Sequence, residues 1–193
     1  MKMRSCVQWH RKAAARLGAR LAARSRSGSA ALEFAFVAPV FILFLMATME
    51  TGLIYLGNFV LQEATNDAAR QIRTGQVAAS NMTQAQFRTL VCNSIAPLLA
   101  CDANLQIDVQ NYADFSQTNI TNPITATGTL DPTLNHWAPG TVCSIVLVRT
   151  YYTWNVATPF MTPFLVNMAN NEHLLTAAAA FRNEPFNTSV SGC

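Results

Sequence analysis

The chain has 193 residues, a length that fits one ordinary domain with an anchor and excludes two full-sized domains. Hydrophobic residues make up 51% and charged residues only 12%, a balance that leans toward a membrane protein. Eight of the 13 Lys and Arg residues precede Gly28, where no acidic residue occurs, whereas the remainder holds five Arg against ten acids. The positive net charge therefore belongs to a basic leader, and we expect no nucleic-acid partner.

An apolar run follows the basic leader of residues 1–28. It reads FAFVAPVFILFLMATMETGLIYLG over residues 34–57, and Glu50 is its only charged residue. A helix of this length spans about 36 Å, enough to cross a hydrocarbon layer of about 30 Å. Because basic flanks stay in the cytoplasm, the composition predicts a single-pass protein with a cytoplasmic N-terminus and an exported head.

The helical pattern continues beyond the apolar run. Residues 58–76, NFVLQEATNDAARQIRTGQ, contain no proline and keep apolar or small residues on one face, and Gly75 is the predicted stop. We therefore predict one transmembrane and stalk helix over residues 29–75. Glu50 lies toward the outer end of the apolar run, where we expect the carboxylate to be solvated at the membrane interface; pairing within an assembly is the alternative.

The remaining residues, 81–193, predict a small exported head. A helix begins at the capping box of Thr83 and Gln86, and Thr158 with Pro159 predicts the start of a short helix through Phe160, Phe164, Leu165 and Met168. Three strands are predicted, within residues 105–110, 143–156 and 174–186, and residues 111–141 predict a long exposed loop. The fold class is therefore α+β, a long N-terminal helix followed by a small antiparallel-sheet head, in the form of a lollipop.

The cysteine distribution agrees with export. Cys6 lies in the leader, and an even set of four, Cys92, Cys101, Cys143 and Cys193, lies beyond the apolar run. Four cysteines allow three pairings. We favour Cys92–Cys101, which closes a short loop, and Cys143–Cys193. Zinc binding is the rival interpretation, but no CxxC occurs and the three histidines are scattered.

No catalytic motif is visible in the head. GxSxG, HExxH and P-loop patterns are absent from the sequence, so we predict neither an enzyme nor a cofactor. The aromatic residues Tyr151, Tyr152 and Trp154 are expected in the core and on a face of the sheet. Calcium binding by the 111–141 loop is an alternative, since aspartates are spread through strand and loop at Asp102, Asp108, Asp114 and Asp131.

The start of the apolar run carries an unexpected acid, Glu33. A carboxylate there is costly unless a partner supplies the opposite charge. Cleavage between Gly28 and Ser29 would create an α-ammonium group on Ser29 and make Glu33 the fifth residue. The two charges could then neutralise each other, within one chain or between neighbouring chains.

The segment RSGSAALEFAFVAPVFILFLMATMETG, from Arg26 to Gly52, resembles type IV prepilins, and specifically the TadE-like family of minor pilin-like proteins, or pseudopilins, of the Tad/Flp pilus system. Gly28 before small residues, the pair Glu33-Phe34 and Pro39 within the apolar run carry the resemblance. It implies that a membrane-embedded prepilin peptidase cuts after Gly28, and that Glu33 and Phe34 then set the register against neighbouring subunits. The implied partners are other Tad pilins and pseudopilins and the assembly platform in the bacterial inner membrane. The implied function is assembly of a pilus for adhesion.

Two alternatives remain at this stage. The chain could be an unprocessed single-pass envelope protein whose exported head binds a ligand or partner. Ordinary signal peptidase could instead remove the whole apolar run, but no A-x-A-like site follows it. A protein that has lost its leader but kept the apolar run would support the pilin interpretation over both alternatives.

Overall fold

A computed structural model describes the backbone of residues 3–96, 98–118 and 120–186, and the side chains within those ranges from residue 28 onward. The chain forms two compact units, Met1–Met46 and Ala47–Cys193. The elements are the helices α1 (Met3–Arg73), α2 (Gln76–Ala79), α3 (Gln84–Ile95) and α4 (Thr162–Leu165), and the strands β1 (Leu105–Tyr112), β2 (Ile145–Asn155) and β3 (Glu172–Arg182). The predicted α+β class, a long apolar helix before a three-stranded antiparallel sheet, is confirmed.

The part of α1 in the first unit exposes its apolar side chains on all sides. Phe34, Phe36 and Val40 are each more than 60% exposed, and Pro39 lies within the helix. Within the described residues, one helix, Gly28–Arg73, is long and apolar enough to cross a membrane; its window of mean hydropathy 2.3 is not buried by protein. A helix that is hydrophobic all round needs an apolar surrounding.

In the second unit, α1 buries one face and exposes the others. Its buried residues recur every three or four positions, as expected for one face of a helix, at Glu50, Ile54, Leu61, Ala64, Ala68 and Ile72. Gly57 lies on this face, where an added Cβ would be 3.0 Å from the Leu175 side chain of β3. Leu53 and Phe59, on other faces, remain exposed. The second half of α1 is therefore a core element of the head.

The helix predicted from the capping box is α3. Thr83 accepts a hydrogen bond from the Gln86 amide, and the Gln86 side chain accepts one from the Thr83 amide, so both halves of the box are present. The apolar face of α3 buries Phe87, Val91 and Ile95. Cys92, on the same helix, forms the predicted disulfide bond with Cys101, across a Cα–Cα distance of 5.5 Å.

The three strands pair in the order β1-β2-β3, all antiparallel, so β2 is central. One face of the sheet, the helix face, carries Ile107, Val148 and Leu175, which share a core with α1 and α3. A hydroxyl contact between Thr65 of α1 and Thr150 of β2 lies within this layer. Tyr152 is buried here and Tyr151 on the opposite face, which confirms the expectation for these aromatics.

The segment between β1 and β2 is long and mostly exposed, as expected for residues 111–141, with one correction: the first two of those residues belong to β1, and some apolar side chains of the segment cover the second face of the sheet. Leu134 from this segment is buried with Tyr151, and Ile124 and Leu130 pack against them. Trp137 passes to the helix face, where its ring centroid lies 5.1 Å from that of Phe87. These contacts were not expected, because they come from isolated apolar residues without periodicity.

A second correction concerns residues 158–168. Thr158 does not cap a helix, since α4 begins at Thr162 with Met161 as its N-cap residue. Phe160 and Phe164 do not pack into the head but are 81% and 79% exposed.

The segment after β3 binds to the end of α1. The Glu184 amide donates to the Arg73 carbonyl at 2.9 Å, and the two side chains form an ion pair at 3.3 Å. Gly75 adopts a φ of 77°, and the ring of Phe186 lies where a Cβ of that residue would be. This segment therefore supplies a partner to a carbonyl group that the last turn of a helix leaves free.

Candidate processing and assembly site

Gly28 and Ser29 lie on consecutive positions of α1. A Cβ built on Gly28 meets no atom within 4 Å, so neither packing nor a close backbone approach requires glycine there. Glycine within a helix is about 1 kcal/mol less favourable than alanine. Gly28 therefore lowers the stability of the helix, and no contact among the described residues explains why a glycine is present.

Glu33 lies one helical turn after Ser29. The Ser29 hydroxyl donates a hydrogen bond of 3.4 Å to Glu33 Oε1, in the i, i+4 geometry that brings side chains together on a helix surface. Both residues are exposed, and so is the neighbouring Phe34, at 72%. The arrangement leaves the Glu33 carboxylate and the Phe34 ring accessible to a group from outside this segment.

Glu50 has a structural role that corrects the expectation of a solvated carboxylate at the interface. It is only 7% exposed, and its two carboxylate oxygens accept hydrogen bonds from two consecutive backbone amides. Ala157 N donates to Oε1 at 2.6 Å, and Thr158 N donates to Oε2 at 2.7 Å. The carboxylate thus fastens the segment after β2 to α1 without a basic side chain, because charged acceptors form strong bonds with backbone amides.

A buried ionic cluster lies on the second face of the sheet. Asp108 Oδ2 accepts from Arg149 Nη2 at 2.7 Å, and Oδ1 contacts His136 Nδ1 at 2.7 Å. Burial acts to raise the pKa of the Asp108 carboxyl, but the hydrogen bonds from Arg149 and His136 together hold that pKa below its ordinary value. No pattern in the sequence indicated that Asp108 and His136 meet. The strand register pairs Asp108 with Arg149, and a backbone bridge between Val109 and Trp137 brings the neighbouring His136 to Asp108.

The remaining predictions concern the cysteines and a metal site. Cys143 is disulfide-bonded, whereas Cys193 and the leader cysteine Cys6 lie outside the part of the chain whose side chains are described. The pairing Cys143–Cys193 therefore stays a prediction. In that same part of the chain, no three His, Cys, Asp or Glu side chains come together in a way that could hold a metal ion.

The family comparison matches the segment that contains the processing and assembly residues. The family model described as "TadE-like protein" matches residues 28–70, which confirms the resemblance to the TadE-like family for this segment. No curated protein and no solved structure gives a match to the chain. The family match thus begins at Gly28 and runs along α1 almost to its end.

Proposed function

Because residues 28–70 match the TadE-like family, we propose that the chain is a pseudopilin or minor pilin of a Tad/Flp-type pilus. It is processed after Gly28 and takes part in pilus assembly, and surface attachment is the result for the cell. The family match along the apolar helix carries this proposal. The chain acts by helix packing and presents its head outside, without catalysing a reaction.

The open surroundings of Gly28 support cleavage at this position. Since a Cβ would meet no atom within 4 Å, the fold itself does not select glycine there. A peptidase that accepts only a small residue before the cut would select it. Gly28 is then a substrate position of the prepilin peptidase, and the residues before it serve as a leader.

The pair formed by Ser29 and Glu33 supports a role in assembly. The Ser29 side chain already lies one turn from the carboxylate, at 3.4 Å, so cleavage would place a new ammonium group in the same region of the surface. Opposite charges neutralise each other most effectively where water is scarce. Glu33 therefore pairs with the ammonium group of its own chain or of a neighbouring chain, and Phe34 packs beside it.

The proposed location is the bacterial inner membrane, with the leader in the cytoplasm and the head on the other side. The basic leader and the apolar helix support this orientation, because positive flanks remain in the cytoplasm. The partners are the prepilin peptidase, other Tad pilins or pseudopilins and the assembly platform.

The test is the intact mass and N-terminal residue of the protein from membranes of its native host. A mature chain that starts at Ser29 supports the proposal. Gly28→Val should retain the leader, because a branched side chain does not fit a site selective for small residues. Gly52→Val is the matched control, since Gly52 also lies on α1 with no atom within 4 Å of an added Cβ. An intact leader in the wild-type chain, with the peptidase present, would favour an unprocessed envelope protein instead.

The role of Glu33 is tested separately from cleavage. Glu33→Gln removes the charge and keeps the shape, so we expect normal processing but reduced recovery of the protein with sheared pili or with its partner pilins. Glu63→Gln, at an exposed position further along the same helix, is the control. Equal recovery of both variants would remove Glu33 from the proposed assembly contact.

A further inference from the structure

Two aromatic side chains stand out from the head into the surroundings. Phe160 and Phe164, at 81% and 79%, are the most exposed large hydrophobic residues that the structure describes. They belong to the segment of residues 156–171, which contains no Asp, Glu, Lys or Arg. We name this segment the aromatic loop. A contiguous exposed apolar surface without charge is typical of a contact with a partner or a membrane.

The backbone holds both rings in this exposed position. Phe160 has a φ of 64°, a left-handed conformation that is unfavourable for a residue with a bulky side chain. Thr162 Oγ1 donates to Asn171 Oδ1 at 2.8 Å, and the Leu165 amide donates to the Met161 carbonyl at 2.9 Å. The outward direction is therefore defined by hydrogen bonds across the aromatic loop.

The position of the aromatic loop along α1 indicates what it contacts. Glu50 binds the amides of Ala157 and Thr158, which fastens the start of the loop to α1. Glu50 lies seven residues before Gly57, the last residue of the apolar run, and this corresponds to about 10 Å along a helix axis. The loop is thus fixed beside a part of α1 that is still apolar. Met49 and Leu53, which flank Glu50 in the sequence, are 70% and 41% exposed.

We propose that the aromatic loop inserts Phe160 and Phe164 into the lipid surface from which α1 emerges. The head then contacts the bilayer at a second point besides the helix. The loop carries no charge, so its insertion depends on apolar burial and not on anionic headgroups, and salt leaves it unchanged. The proposal rests on the crossing of the membrane by α1 and is independent of cleavage after Gly28.

The test uses the full-length chain in phosphatidylcholine nanodiscs, with the photoreactive residue benzoylphenylalanine at one position at a time. The positions are Phe160, Phe164, Phe115 and Phe41. Phe115 follows β1 at the end of the sheet opposite to Ala157 and is 48% exposed, so it is the matched control away from the lipid. Phe41 lies within the apolar run and reports whether the helix crosses the bilayer.

Irradiation should attach lipid to the chain at Phe160, Phe164 and Phe41. The partition coefficient of a Phe side chain between an apolar phase and water is about ten or more. We therefore expect about ten times more lipid adduct at Phe164 than at Phe115. Lipid adducts at Phe41 but equal, low yields at Phe164 and Phe115 would overturn the proposal and leave the membrane helix intact. Adducts at Phe160 and Phe164 that join only two copies of the chain would assign the surface to subunit packing. No lipid adduct at Phe41 would overturn both the insertion and the crossing.

Discussion

Replacement of Glu50 by Gln tests whether one carboxylate fastens α1 to the rest of the head. The wild-type side chain accepts two backbone amide hydrogen bonds, of 2.6 and 2.7 Å. Glutamine keeps one acceptor oxygen and directs its own N–H group toward the second amide, so one charged bond is lost and one buried donor is left without an acceptor. Since each of these two losses costs about 1–3 kcal/mol, we expect the free energy of unfolding to fall by about 2–6 kcal/mol.

The first assay is chemical denaturation of the full-length chain in detergent micelles, with unfolding monitored by tryptophan fluorescence. Glu63→Gln is the control, because Glu63 is exposed on the same helix. A surface substitution of this kind usually changes the free energy of unfolding by no more than about 0.5 kcal/mol. A loss for Glu50→Gln within that range would refute the reasoning.

Amide hydrogen exchange gives a local readout of the same contact. The peptide that contains Ala157 and Thr158 should exchange about 30 times faster or more in Glu50→Gln, which corresponds to the lower limit of the expected energy. The peptide around Phe115 should change less, because it follows β1 at the end of the sheet opposite to Ala157. Unchanged exchange at Ala157 and Thr158 would show that their protection does not depend on the carboxylate.

Three further changes probe the head. Cys92→Ser with Cys101→Ser opens a loop of nine residues and should lower the free energy of unfolding by about 2.5 kcal/mol, measured by denaturant midpoint. Asp108→Asn leaves the Arg149 charge buried and should cost about 3–5 kcal/mol. Because the native pKa of Asp108 is depressed, its stabilising contribution is full above the ordinary value of 3.8 and is lost as the pH falls through the native pKa. Gly75→Ala should cost at least about 1–2 kcal/mol, because its φ of 77° disfavours a side chain and the Phe186 ring would also have to move.

Each of these changes has a control. Reductant should lower the midpoint of the wild-type chain more than that of the double serine variant, in which the disulfide bond of Cys143 remains. Asp67→Asn removes an exposed carboxylate on α1 and should change the free energy of unfolding by no more than about 0.5 kcal/mol. Gly52→Ala, at an open helical position, should be neutral or slightly stabilising. A loss for Gly52→Ala as large as that for Gly75→Ala would show that the effect of Gly75→Ala does not come from its backbone conformation.

The regular elements of the head were predictable because local patterns encode them. Leu105, Ile107 and Val109 alternate along β1, and the capping box of Thr83 marks the start of α3. The β-branched and aromatic residues of β2 predicted a strand, and the structure places it at the centre of the sheet, where both of its faces are buried. Short-range physical preferences alone indicated these features.

The contacts between residues far apart in the sequence could not be predicted from local patterns. The partners of Glu50 are backbone amides more than 100 positions away, and a backbone amide has the same chemistry in every residue but proline. The cover of the second sheet face depends on isolated residues such as Leu134, which no period reveals. The spacing of Glu50 with Ile54 and Leu61 did contain a signal, because it places the acid on the buried face of α1.

The binding of the Glu184 segment to the end of α1 has a consequence for biosynthesis. The Arg73 carbonyl and Gly75 contact residues that follow β3, namely Glu184 and Phe186. Because synthesis runs from the N-terminus, Arg73 is made long before Glu184. The Arg73 carbonyl therefore stays bound to water until nearly all of the head has been made.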